Sequence, residues 1–157
     1  MESRNLHAEA LPMLDGHFKD KVFILPLRIY YADTDLSGFV YHANYLHYME
    51  RARSEFFRHL GVKLADLEAG EPTAWTLRKA ELEYLRPARV DDLIEVHSVI
   101  SHMSGVRLEA TQTTFCNGEV LVRGKVQACL VTLGGKPRRM PQDVYDRIFP
   151  FLCKTEG

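Results

Sequence analysis

Residues 43–60 carry the strongest constraint in this 157-residue chain. At 100° per residue, Tyr45, Tyr48, Met49, Ala52, Phe56 and Leu60 fall on one face of a helix, and His47, Arg51, Ser54 and Arg58 fall opposite. Leu46 and Phe57 widen the apolar stripe, so the helix needs cover on more than one side. Gly61 is the expected stop. Arg51 and Glu55, four apart, are spaced to pair on the wet face.

The rest of the chain supplies strands to cover that helix. Val22–Tyr31 is rich in β-branched and aromatic residues, and Pro26 puts part of it at an edge or a bulge. Lys63–Gly70 reads as a second short helix. Thr73–Leu85 is a long strand closed by Arg86-Pro87. Leu93–His102 alternates, with Ile94, Val96 and Ile100 on one face and Glu95, His97 and Ser101 on the other. Val106–Cys116 and Val120–Leu133 follow, joined by Asn117-Gly118, a type I′ hairpin signal. Pro141–Leu152 closes the chain as a short helix. The expectation is one strand, one buried helix, then a meander of about four strands: an α+β antiparallel sheet wrapped around a long central helix. Residues 1–20 read as an N-terminal arm and residues 21–152 as a single domain.

Composition excludes several function classes. A 46% hydrophobic and 26% charged chain is ordinary for a globular protein, and a net charge of −1 gives no pull toward nucleic acid. No apolar run approaches the roughly 20 residues of a membrane span, and the first residues lack a signal-peptide core. The expected setting is cytoplasmic, without membrane insertion. Cys116, Cys129 and Cys153 are odd in number and widely spaced, which fits neither a disulfide framework nor a zinc site. They are expected to be reduced and mostly buried.

Chemistry concentrates where the first strand hands over to the helix, at Asp33-Thr34-Asp35-Leu36-Ser37-Gly38 and on to His42. The six residues match the start of an EF-hand loop, but position twelve would be Asn44, where a bidentate Glu is needed, and the preceding segment is strand-like. These residue types also simply turn a chain, and one of the two aspartates is expected to do so. A carboxylate just ahead of a helix N-terminus, facing free N–H groups and the positive dipole end, is suited to hydrolysing a carbonyl compound. No G-x-S-x-G elbow, zinc signature or phosphate-binding glycine loop is present. Glu50 and Glu55 read as solvated or salt-bridged. Lys136, Arg138 and Arg139 form a small basic patch, either a solvated loop or a phosphate anchor.

The run Tyr31-x-Asp33-Thr34-Asp35-x-x-Gly38-x-Val40-Tyr41-His42-x-x-Tyr45, then Glu50-Arg51-Ala52-Arg53, closely resembles the hot-dog-fold acyl-CoA thioesterases of the 4-hydroxybenzoyl-CoA thioesterase family. Within it the sequence is most similar to the YbgC-type, Tol-Pal-associated subgroup. The resemblance continues through Glu83–Ala88 and Thr111-Gln112 and ends near Pro141. It implies a hot-dog fold, homodimers assembling into homotetramers, and sites at subunit interfaces. It implies hydrolysis of a short-chain or fatty acyl-CoA to free acid and CoA, with no cofactor and no metal. The alternatives are an acyl carrier protein thioesterase, or a non-catalytic hot-dog module that binds acyl chains or partner proteins. Carried over by position, the catalytic carboxylate falls on Asp35, with His42 beside it. Tyr41, Gly38 and Tyr45 serve the oxyanion and substrate positioning, with Tyr41 and His42 offering their N–H groups. Lys136, Arg138 and Arg139 fall where coenzyme A phosphates would be held. The hydroxybenzoyl enzymes have Tyr where this chain has His42, which weakens assignment of that aromatic substrate.

Overall fold

The computed structural model describes residues 14–62 and 73–154. Strands β1 (His17–Lys19) and β2 (Val22–Arg28) precede helix α1 (Asn44–His59). Strands β3 (Thr73–Tyr84), β4 (Leu93–Met103), β5 (Arg107–Cys116) and β6 (Glu119–Thr132) follow. Helix α2 (Gln142–Ile148) and a 3₁₀ turn (Phe149–Phe151) close the described chain. The anticipated helix at Lys63–Gly70 lies outside the described residues. No described helix is long and apolar enough to cross a membrane.

All six strands form one antiparallel sheet in the order β1-β2-β4-β5-β6-β3. Two sequence expectations are corrected here. His17–Lys19, inside the anticipated arm, is a strand, because Phe18 packs on Phe23 and Phe56 with ring centroids 5.1 Å from each. Strands β3 to β6 are not a simple meander either. β2 pairs with β4, and β3 lies beyond β6 at the far edge. Among these four, only β4-β5-β6 run as consecutive hairpins. The β5–β6 turn has positive φ at both Asn117 and Gly118, as a type I′ turn requires.

α1 buries Tyr45, Tyr48, Met49, Ala52 and Phe56, the face the periodicity marks. Leu46 is exposed, and Phe57 is half-buried, stacked on Trp75 at 6.1 Å. Glu55 pairs with Arg58 at 2.5 Å rather than with Arg51. The three cysteines are free and half-buried, less enclosed than expected.

One side chain of the helix reaches the sheet where β6 carries none. Gly124 of β6 faces Met49, where an added Cβ would meet the Met49 Cε at 2.4 Å and its Sδ at 2.9 Å. Beside it Gln112 of β5 is wholly buried. Its Nε2 donates to the Met49 carbonyl and to Ser98 Oγ, both at 2.9 Å. Its Oε1 accepts from Arg53 at 2.9 Å. A buried amide with every polar atom used stabilises one arrangement, whereas an unpaired one costs about 1–3 kcal/mol per group. Gly124→Ala is therefore expected to lower stability by about 1–3 kcal/mol through overpacking. Urea unfolding checks this, and a midpoint unchanged from wild type would refute it.

Candidate active site

The site begins as a hairpin too short to be a strand pair. Thr34 and Val40 bridge antiparallel, and the Asp35 N–H donates to the Phe39 carbonyl at 3.1 Å. The Gly38 N–H returns to the Asp35 carbonyl at 3.0 Å, with Gly38 at φ +81°. Nothing lies within 4 Å of a Cβ built on Gly38, so its requirement is backbone conformation and not space. The EF-hand-like residues thus make a tight turn closed by a left-handed glycine.

The two aspartates part company within this turn. The Asp33 carboxylate accepts the Tyr30 N–H at 2.7 Å. Its carbonyl accepts the Tyr41 N–H at 2.9 Å and Asn44 Nδ2 at 2.8 Å, tying the loop to the first residue of α1. Its charge also faces the Tyr48 phenol, whose pKa is raised, first by burial and then by Asp33. Asp33 is thus engaged by the chain around it through both its carboxylate and its carbonyl. Asp35 is exposed, and its carboxylate accepts both the Ser37 hydroxyl and the Ser37 N–H, the latter at 2.8 Å. The Ser37 hydroxyl, then its N–H, hold the Asp35 carboxyl below the ordinary value of 3.8, and His42 adds a smaller pull. The group is a carboxylate at any physiological pH.

Asp35 and His42 line one open cleft of about 340 Å³, with Tyr45, Tyr84 and Arg86 among its walls. The His42 ring lies 4.5 Å from that of Tyr41 and 6.4 Å from that of Tyr84. The Tyr84 hydroxyl donates to the His42 carbonyl at 2.9 Å, fixing the helix entry against β3. Tyr45 is 2% exposed and packs edge-on against Tyr48 and Tyr84, so it belongs to the core and to the cleft wall together.

The helix start settles which amides are available. The Tyr41 N–H is engaged by Asp33, so the expectation that Tyr41 donates to an oxyanion does not fit this geometry. The N–H groups of His42 and Ala43 donate to no backbone carbonyl among the described residues. They are the orphan donors of a helix N-terminus, at the end where negative charge is favoured.

The basic segment stands elsewhere. Thr132 donates to the Lys136 carbonyl and Arg138 to the Leu130 carbonyl, both at 2.8 Å, folding Lys136–Arg139 beside the end of β6. Tyr84 pairs with Val122 and Thr73 with Thr132, so the cleft and the basic segment lie at opposite ends of β3–β6, roughly 35 Å apart at about 3.3 Å per residue. One copy of the chain does not bring them together. Sequence reasoning missed Ser37 and Tyr84. A Ser two residues after an Asp is a legible Asx-turn signal, whereas the meeting of Tyr84 with His42 depends on the β3 crossover.

A family profile for the thioesterase superfamily matches residues 37–123. The acyl-CoA thioester hydrolase YbgC of Escherichia coli O157:H7 is 40% identical over 130 residues, covering 78% of this chain and 92% of the relative. The acyl-CoA thioesterase YbgC of Haemophilus influenzae is 36% identical over 126 residues, 80% of this chain and 93% of the relative. A crystal structure of a probable thioesterase from Bartonella henselae superposes with a TM-score of 0.74 at 39% identity, covering 76% of this chain and 99% of that one.

Removing the Ser37 hydroxyl should let the Asp35 carboxyl rise toward 3.8. A carbon-detected NMR titration of Asp35 in wild type and Ser37→Ala measures the shift. An unchanged or lower pKa in the variant would contradict the hydrogen-bond assignment.

Proposed function

The chain belongs to the thioesterase superfamily and is a thioester hydrolase, and we propose that it cleaves acyl-CoA in the cleft that holds Asp35. The observation that carries this reading is the pairing of an ionised carboxylate with an unengaged helix-start amide in one cleft. The thioester carbonyl oxygen points at the His42 N–H. Asp35 attacks the carbonyl carbon, or takes a proton from the water that does. In the first route the oxyanion collapses, expels the CoA thiolate and leaves a mixed anhydride that water hydrolyses, restoring Asp35. In the second, hydroxide adds directly and the same thiolate leaves. Either way the negative charge grows on the carbonyl oxygen, where the amide and the helix dipole stabilise it, an effect worth roughly 3–4 kcal/mol for one well-aimed donor. A thiolate leaves without a strong general acid.

The working unit is a dimer. β3 is an edge strand of 12 residues whose middle and end are exposed, and β6 is its one neighbour in the sheet. Two copies paired antiparallel along the whole strand set Tyr84 of one beside Thr73 and Trp75 of the other. That arrangement closes the open cleft, and it carries the second copy's Lys136, Arg138 and Arg139 to the end of the sheet where Asp35 stands. Coenzyme A phosphates then have cations within reach that one copy does not supply.

Thioester hydrolysis over acyl-CoAs of rising chain length, followed by thiol release, tests the assignment. Asp35→Asn should lose about 10²–10⁴-fold in kcat. Asp33→Asn keeps the carbonyl bonds to Tyr41 and Asn44, so it should stay within about tenfold of wild type and lose about 1 kcal/mol of stability. An Asp35→Asn variant as active as wild type would overturn the mechanism. Turnover of carrier-protein thioesters alone would move the substrate from coenzyme A to the carrier. Light scattering should give at least twice the 18.0 kDa chain mass. A monomer that retains full activity would contradict the shared site.

A further inference from the structure

Hydrogen bonds hold the turn that starts α1 from two directions. On the loop side, the Tyr41 N–H and Asn44 Nδ2 reach the Asp33 carbonyl, and the Asn44 N–H closes back on the Tyr41 carbonyl at 2.9 Å. On the sheet side, the one such tie among the described residues is the Tyr84 hydroxyl, which donates to the His42 carbonyl at 2.9 Å.

Tyr84 is well placed to hold that position. It is the last residue of β3 and pairs with Val122 of β6. The next two amides, of Leu85 and Arg86, both donate to the Leu121 carbonyl, at 2.8 and 3.1 Å, so the backbone beneath the phenol is clamped to β6. Its ring stands edge-on to Tyr45 at 5.7 Å and to His42 at 6.4 Å. Burial raises the Tyr84 pKa, so the phenol keeps its proton and stays a donor.

A trans peptide unit is planar, and its N–H points opposite its carbonyl. The His42 carbonyl and the Ala43 N–H belong to one such unit. The Tyr41 carbonyl and the His42 N–H belong to the unit before it. Both carbonyls are engaged, one by Tyr84 and one by the Asn44 N–H, while neither N–H has a partner among the described residues. A hydrogen bond accepted at the carbonyl fixes the peptide plane and makes the N–H at its other end a stronger donor. The two free amides are therefore aimed and polarised from behind, one by the turn itself and one by the sheet.

We propose that Tyr84 is a positioning residue for thioester cleavage: its phenol holds the His42–Ala43 peptide so that the helix-start amides face the developing oxyanion. The proposal rests on the hydrolase reading above. The carboxylate then comes from the loop, and the amides take their direction from the sheet. Such a group acts on the transition state, where the carbonyl oxygen carries charge, more than on the bound ester.

Tyr84→Phe removes the donor and leaves the ring. With the acyl-CoA that wild type cleaves fastest in the chain-length panel, kcat is expected to fall about 5–50-fold, short of the roughly 10²–10³-fold loss of an oxyanion donor itself. KM should stay within about threefold. In labelled protein without substrate, the His42 carbonyl carbon and Ala43 amide nitrogen resonances should both move upfield, as expected when a carbonyl loses its hydrogen bond. Tyr84→3-fluorotyrosine keeps the ring and carries a more acidic phenol, so its kcat should equal or exceed that of wild type, and it serves where the phenylalanine variant fails to fold. An unchanged kcat in Tyr84→Phe, or a raised KM with kcat intact (the phenol then binds the ester directly), overturns the inference and leaves the hydrolase reading in place. A 3-fluorotyrosine variant as slow as Tyr84→Phe overturns it too. No hydrolysis by wild type of any ester in the panel overturns both.

Discussion

The docking of α1 on the sheet, with Met49 and Gln112 at its centre, governs most of how this chain is arranged. Met49 occupies the space that a side chain at position 124 would take. With the helix that near, Gln112 reaches the Met49 carbonyl, and one buried amide then locks β5, β4 and α1 to each other through Met49, Ser98 and Arg53. The hydrophobic effect brings the helix to the sheet without direction. The amide network adds the direction, joining Met49 and Arg53 of the helix to the sheet and so orienting the helix that begins beside His42.

The site loop separates its two aspartates by what they bond. Asp33 and Asp35 are two residues apart and chemically identical, yet their surroundings differ wholly. Asp33 spends its carboxylate and its carbonyl on the chain around it. Asp35 has Ser37 as its bonded partner and faces the cleft. A turn that spans Asp35 to Gly38, with Ser37 bonded to the carboxylate, leaves that carboxylate pre-oriented toward the cleft.

Much of this was legible in the chain because the relevant signals are local. The helix face at Tyr45, Tyr48, Met49, Ala52 and Phe56 follows from a 3.6-residue period, and the turn at Asn117-Gly118 from residues that tolerate positive φ. The Asp-Thr-Asp-x-Ser-Gly pattern marked the loop for the same reason. What escaped is non-local. Nothing in Thr73–Tyr84 says that the strand will cross to the far edge of the sheet. Without that crossover, neither Tyr84 beside His42 nor the separation of Asp35 from Lys136–Arg139 can be read. The engagement of the Tyr41 N–H was likewise hidden, since it depends on where the Asp33 carbonyl turns. Arg53 and Gln112 stood in matching motifs, but their meeting joins residues 59 apart in sequence.

The placement of β3 also has a consequence for synthesis on the ribosome. Its sheet neighbour β6 is completed roughly 50 residues later, so at about 5–20 residues per second several seconds pass in which β3 has no strand to bind. A bare strand of that length invites mispairing with a nascent neighbour. Arg78, Lys79, Glu81 and Glu83, clustered in its exposed stretch, make such mispairing costly. In the dimer proposed above, the same charges, of both signs, would set the register between the two β3 strands.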